Sequence, residues 1–111
     1  MISGLKLLFG AILALMLCLT ITATLERGVL EAGRDLWPDP WFRATLADAY
    51  CGFLAFYAWV AYRERSWLSR GLWLVAIMLL GNIAMSVYVL LKLIQLPAGA
   101  GPEQLLLRPP A

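Results

Sequence analysis

Long uncharged segments alternate with short charged segments along this 111-residue chain. Apart from Asp48, every charge lies in residues 1–6, 26–43, 63–70 or 92–111. The three apolar segments between them are residues 7–25, 44–62 and 71–91. Each would form a helix of about 28–31 Å, close to the ~30 Å hydrocarbon core of a bilayer. The pattern predicts an all-α integral membrane protein with three transmembrane helices, about 7–25, 44–62 and 71–91.

The connections between these segments predict how the helices are arranged. Residues 26–43 contain the sequence Trp37-Pro38-Asp39-Pro40-Trp41, whose prolines cannot continue a helix. Residues 25–37 fit either a short interfacial helix or a solvated loop with aromatic side chains at headgroup level. The second connection, residues 63–70, is so short that the second and third helices are expected to form an antiparallel hairpin.

The ends of the chain carry their own predictions. Residues 1–95 are expected to form the three-helix transmembrane domain, and the Pro/Gly-rich residues 96–111 a disordered tail. Three arginines within residues 63–70 favour a cytoplasmic N-terminus, on the same side as this connection. A different interpretation of the first segment is a cleaved signal peptide, because Lys6 precedes the apolar run and residues 22–24 resemble a cleavage site.

Composition supports the membrane assignment and excludes several kinds of chemistry. The chain is 62% hydrophobic and 14% charged, with too few charges to cover a water-soluble domain of this size. A net charge of +2 gives no basis for a nucleic-acid partner. The absence of histidine removes the commonest metal ligand and general base, so neither a metal site nor a cofactor is expected.

Two cysteines, Cys18 and Cys51, lie in different apolar segments. They form no CxxC pair, so the sequence contains neither a zinc motif nor a thioredoxin motif. Both lie seven residues from the same predicted membrane face, so a disulfide is conceivable, although two small buried apolar residues fit the pattern better.

Three polar side chains within the apolar segments are the intramembrane candidates: Asp48, Tyr50 and Asn82. A charge inside a bilayer is costly, so Asp48 suggests either a structural partner such as Arg43 or a functional pocket. That pocket would collect polar groups of one leaflet, namely Thr20, Thr22, Thr24, Thr45, Tyr50 and Tyr88. We expect Asn82 to form a hydrogen bond to a neighbouring helix, with a ligand contact as the alternative.

The first helix also carries a small residue at every fourth position, which predicts a close helix–helix contact. These residues, called the small-residue face below, are Gly10, Ala14, Cys18 and Thr22.

Residues 39–50 contain Pro-Trp-Phe-x-Ala-Thr-Leu-x-Asp-x-Tyr, and residues 59–64 contain Trp-Val-x-Tyr-x-Glu. With Leu80-Gly81-Asn82 and Tyr88, these patterns resemble a family of small uncharacterised three-helix membrane proteins of bacteria and plants, across roughly residues 5–95. The resemblance implies the same topology, in a bacterial plasma membrane. It singles out Asp48 and Tyr50 together with the helix-end residues Trp59, Tyr62 and Glu64, but implies no role for them.

The sequence therefore favours a non-enzymatic accessory or structural membrane component, which packs against further copies of itself or within a larger complex. The alternative is an oligomeric transport module for an ion, a proton or a small solute that uses Asp48. An enzyme with Tyr50 and Glu64 as acid and base is disfavoured, because these residues lie at opposite ends of one helix.

Overall fold

A computed structural model describes residues 2–97 and 99–108, which contain six α-helices and no β-strand. The helices are α1 (Ile2–Glu26), α2 (Val29–Leu36), α3 (Pro40–Arg63), α4 (Trp67–Leu80), α5 (Asn82–Gln95) and α6 (Pro102–Leu106). Their arrangement is elongated, with extents of 48 × 27 × 22 Å.

Helices α1 and α3 are the two long apolar helices, with 25 and 24 residues. Both are long and apolar enough to cross a membrane, by length and composition. α3 begins where the prolines predict a break, because the Asp39 carboxylate accepts a hydrogen bond from the Trp41 backbone N–H at 2.9 Å and Pro40 occupies the first helical position.

The first connection contains the short helix α2, which covers Val29–Leu36 of the residues 25–37 for which a helix was one alternative. An ion pair between Arg27 and Asp35 joins the turn before α2 to its last turn. The apolar side chains of Val29 and Leu30 are exposed, as are the rings of Trp37 and Trp41. This exposed apolar surface is what an interfacial helix presents to lipid.

The third apolar segment differs from the prediction, because it forms two helices that fold back on each other. α4 and α5 have 14 residues each and meet at Gly81. The rings of Trp73 and Tyr88 lie 4.8 Å apart, whereas a straight helix would separate residues 15 positions apart by about 22 Å. The predicted single helix over 71–91 is therefore a helical hairpin, called the α4–α5 hairpin below.

Gly81 makes this reversal possible. Its backbone has φ 56° and ψ −123°, a conformation that side chains with a Cβ rarely adopt. A Cβ at this position would lie 2.6 Å from Cζ of Phe53, so α3 approaches the turn closely as well. The hydroxyl of Tyr50 donates to the carbonyl of Met78 at 3.0 Å, which gives one carbonyl at the end of α4 a partner from α3.

The core lies around the hairpin. α4 packs against α3, and α5 packs against α1 and α4. One cluster of buried apolar side chains joins α3 to the hairpin, and a second joins α5 to the start of α1 and to α6. The first comprises Val60, Ile77, Ala84 and Tyr88, and the second Val89, Leu93 and Leu105.

Because of the hairpin, one end of the molecule contains the start of α1, the end of α3, the end of α5 and α6. We call this the tail-binding end. Residues 99–108 differ from the predicted disordered tail, since they include α6, whose Leu105 is only 6% exposed. The tail residues Ala98 and 109–111 lie outside the described residues.

Candidate functional site

The richest group of polar contacts surrounds the Glu64 carboxylate, at the turn between α3 and α4. One oxygen accepts from the Ser69 hydroxyl at 2.6 Å. The other accepts from the Tyr88 hydroxyl at 2.8 Å and lies 3.0 Å from the Lys92 ammonium. Glu64 therefore joins the start of α4 to the second half of α5, and these four residues are called the Glu64 cluster below.

The electrostatics of the cluster favour the ionised carboxylate. Burial on its own raises the pKa of Glu64, because a charged group loses hydration. Hydrogen bonds from Ser69 and Tyr88 and the positive charge of Lys92 outweigh this effect. The pKa of Glu64 consequently lies below its ordinary value of 4.5, and the carboxylate is charged at neutral pH.

Tyr88 is fully buried and is held by aromatic rings as well as by Glu64. Its ring meets those of Phe56, Trp59 and Trp73 edge-on, with centroids 6.3, 5.5 and 4.8 Å away. The sequence had placed Tyr88 at the other end of α3, in the predicted polar pocket with Asp48 and Tyr50. That placement was wrong because it assumed a straight helix through Gly81.

The last turn of α3 binds the tail. Arg63 is 6% exposed, and its Nη1 donates to the carbonyls of Gln104, Leu105 and Leu107 at 3.2, 2.6 and 2.6 Å. The Trp59 indole N–H donates to the Leu106 carbonyl at 2.9 Å. A cation at the carbonyl end of a helix is favourable, so Arg63 caps α6.

The three helix-end candidates from the sequence, Trp59, Tyr62 and Glu64, therefore lie together but contact different elements. Trp59 binds the tail, and the Tyr62 carbonyl accepts from Arg108 Nε at 2.6 Å. Glu64 contacts the hairpin. These contacts hold α3 against α4, α5 and the tail that contains α6, so the three residues stabilise the fold.

The predicted polar pocket around Asp48 does not form among the described residues. Asp48 is exposed, and its carboxylate has no hydrogen bond or ion pair within the described part of the chain. The hydroxyls of Thr22 and Thr24 donate to carbonyls of their own helix, each at 2.7 Å. Tyr50 donates to Met78, so it bridges α3 and α4 rather than contributing to a pocket.

The remaining candidates also face outward. Asn82 is exposed at the turn of the hairpin, and within residues 2–97 and 99–108 its side chain makes no hydrogen bond to another helix. Of the small-residue face, Ala14, Cys18 and Thr22 are exposed. Both thiols are free, and no group of acids or cysteines suitable for a metal was found among the described residues.

Sequence reasoning missed Arg63, Ser69 and Lys92 as site residues. Arg63 and Lys92 were counted only as charges that set orientation, and Ser69 as part of a short loop. The opposite charges of Glu64 and Lys92 were visible, but they stand 28 positions apart, and only the chain reversal brings them together.

Comparison with known proteins gives a family and no function. Neither the curated proteins nor the solved structures yield a match. A family model described as protein of unknown function (DUF1475) matches residues 1–108, which is nearly the whole chain. The chain therefore belongs to the DUF1475 family of proteins of unknown function.

Proposed function

We propose that this protein is a non-enzymatic structural or accessory component of a membrane. In this proposal α1 and α3 cross the bilayer, and the α4–α5 hairpin enters and leaves it from the tail-binding end. The observation that carries the proposal is the exposed apolar surface of the two long helices.

That surface is extensive on α1, where no residue is buried. Leu7 is 76% exposed near one end and Leu25 is 82% exposed at the other. Exposure of apolar surface to water is unfavourable by about 25 cal/mol per Å², whereas contact of the same surface with hydrocarbon carries no such free-energy cost. A lipid environment removes this cost, and the hydrogen-bonded helical backbone is compatible with it.

The dimensions of the hairpin support a re-entrant position. A 14-residue helix is about 21 Å long, too short to cross a ~30 Å core. Gly81 packs against Phe53, which lies ten residues, or about 15 Å, from the end of α3 at Arg63. The turn would therefore lie near the middle of the bilayer, and both ends of the hairpin on one side.

The charge distribution supports an orientation. The tail-binding end carries six of the nine basic residues, and the α2 end carries three. The six are Lys6, Arg63, Arg65, Arg70, Lys92 and Arg108, and the three are Arg27, Arg34 and Arg43. Basic residues near helix ends favour the cytoplasmic side, so we place both ends of the chain in the cytoplasm.

The accessory role is supported by how the polar groups are used. Arg63, Glu64 and Trp59 hold helices and tail together, while the small-residue face and Asn82 point away from the molecule. A small-residue face allows close backbone contact, and an intramembrane amide favours a hydrogen-bonding neighbour. A second copy of this chain would supply both the closely packed helix and the hydrogen-bonding partner for Asn82.

Two measurements test this proposal. After carbonate extraction, the full-length protein should remain in the membrane pellet, and its appearance in the soluble fraction would contradict the membrane assignment. In Cys51→Ser protein, Cys18 should cross-link between copies through the small-residue face. Cys18→Ser protein, which retains only Cys51, is the matched control, and equal cross-linking of both would argue against that interface.

A second candidate function, transport, rests on the carboxylate of Asp48, which has no partner among residues 2–97 and 99–108. An exposed acid on an apolar helix would be costly in lipid unless water, a cation or a second subunit reaches it. If Asp48 carries a proton or cation, Asp48→Asn should abolish dye-detected flux in proteoliposomes while insertion stays normal. Glu31→Gln on α2 is the matched control. Equal flux in wild type and Asp48→Asn would remove this function.

A further inference from the structure

A groove of about 510 Å³ lies at the tail-binding end, between the end of α5 and the tail. Its volume falls within the usual range for small-ligand sites. Four polar side chains line it, Arg63, Arg108, Gln95 and Gln104, beside apolar ones such as Leu96 and Leu107. No acidic residue lines it among the described residues, so the groove is positively charged.

The charge of Arg63 is incompletely compensated. Its guanidinium donates to neutral carbonyl oxygens and interacts with the neutral Tyr88 hydroxyl, and its buried Nε has no acceptor among the described residues. The adjacent carboxylate of Glu64 pairs with Lys92 instead. A buried cation without a counter-charge is unfavourable, so an anion close to Arg63 would be stabilising.

Several hydrogen-bond donors around the groove are free to bind such an anion. Arg108 uses Nε to bind the Tyr62 carbonyl and stacks on the Tyr62 ring at 5.2 Å, while its Nη groups make no hydrogen bond within the described residues. The side-chain oxygen Oε1 of Gln104 accepts from the Gly101 backbone N–H at 3.1 Å, so the side-chain N–H groups of Gln104 are still donors. An arginine fork and amide donors suit the oxygens of a phosphate.

We propose that this groove binds the phosphate group of an anionic phospholipid. The inference rests on the proposed membrane location, which would put the tail-binding end at the headgroup layer of the cytoplasmic leaflet. Basic pockets at this level fit anionic headgroups. The apolar walls formed by Leu96 and Leu107 would contact the glycerol backbone and the start of an acyl chain.

Full-length protein in nanodiscs tests the inference. Phosphatidylglycerol in a phosphatidylcholine bilayer should raise the unfolding temperature and remain bound in native mass spectrometry. Arg108→Gln should weaken its retention about tenfold, as expected when charge-assisted hydrogen bonds are lost. Gln95→Leu, which keeps the charge, should weaken it less. Arg34→Gln, which removes a charge at the other end, should behave as wild type.

Other results would overturn the assignment. If wild type and Arg108→Gln retain phosphatidylglycerol equally well, the groove is not the binding site. If Arg34→Gln loses as much phosphatidylglycerol as Arg108→Gln does, the effect depends on net charge and not on the groove. If inorganic phosphate in pure phosphatidylcholine nanodiscs stabilises the protein as much as phosphatidylglycerol does, the ligand is free phosphate and not lipid. The wild type and each variant are also extracted with carbonate. A wild-type protein that stays in the membrane pellet but does not retain the lipid contradicts the lipid site alone, whereas a soluble wild-type protein contradicts the membrane proposal.

Discussion

At the scale of single residues, Gly81 has a conformation and a neighbour that both exclude a side chain. Its φ of 56° disfavours any residue with a Cβ, and Phe53 occupies the space that the Cβ would need. We expect Gly81→Ala to lower the free energy of unfolding by about 1–3 kcal/mol, through strain and local overpacking. Thermal unfolding in detergent measures this effect.

Gly71 provides the control for that substitution. It lies inside α4, and apart from its chain neighbours and the nearby backbone of its own helix, no atom of the described residues lies within 4 Å of the position that its Cβ would occupy. Gly71→Ala should therefore be neutral or slightly stabilising, because alanine is the better helix former. Equal stability of the Gly81→Ala and Gly71→Ala proteins would contradict the hairpin geometry.

Glu64 makes stability depend on pH in a defined direction. Its folded pKa is lowered, so its stabilising contribution is complete above the ordinary value of 4.5 and is lost as the pH falls through the folded pKa. Glu64→Gln should be less stable at neutral pH and lose less stability on acidification. Melting curves from neutral pH to about pH 3 measure this, and an unchanged acid slope would count against the ionised cluster. Glu31→Gln should keep the wild-type slope.

At the scale of elements, α6 is too short to be stable alone and depends on its contacts with α3. Arg63 supplies three hydrogen bonds to carbonyls of the tail, and Trp59 supplies another. Leu105 adds a buried apolar contact with α5. The tail is ordered because α3 and α5 end side by side.

Removal of Arg63 should release the tail. Arg63→Ala deletes the charge-assisted bonds to residues 104, 105 and 107, which contribute about 1.5–3 kcal/mol by typical measurements. Thermolysin cleavage near Leu105 should become about tenfold faster or more, while Arg34→Ala should be cleaved at the wild-type rate. Trp59→Phe, which deletes one neutral hydrogen bond, should have a smaller effect. A wild-type cleavage rate in Arg63→Ala would show that contacts other than those of Arg63 hold the tail.

At the scale of the whole molecule, the hairpin means that the proposed topology has two membrane crossings instead of the three that the hydropathy pattern predicts. Three crossings would place residue 100 on the same side as α2, whereas the hairpin places it with the N-terminus. The proposed topology therefore differs from the simplest interpretation of the hydropathy pattern, and an accessibility experiment distinguishes them.

Single cysteines in a Cys18→Ser, Cys51→Ser background test the topology. Ser3→Cys and Ala100→Cys should react with an impermeant maleimide from one side of the membrane, and Gly33→Cys from the other. Intact cells and inverted vesicles provide the two sides. Labelling of Ala100→Cys together with Gly33→Cys would instead support three crossings.

The sequence by itself determined the helices whose signals are local. The apolar lengths of α1 and α3 and the prolines before α3 each act within a few turns of chain, so the all-α character followed from the pattern, while residues 25–37 stayed open between helix and loop. Short motifs that resemble a known family singled out Trp59, Tyr62 and Glu64. They could not show that these three side chains contact α4, α5 and the tail.

Only the tertiary structure showed that residues 71–91 form a hairpin and that the tail is ordered. An uncharged run interrupted by one glycine has the same hydropathy whether it continues straight or reverses, and the reversal at Gly81 is accompanied by the close approach of Phe53. Residues 99–108 lack any long apolar pattern, yet Arg63 and Trp59 order them. Both outcomes depend on contacts between residues far apart in the chain, such as Phe53 and Gly81, 28 positions apart, or Trp59 and Leu106, 47 positions apart, which no local pattern encodes.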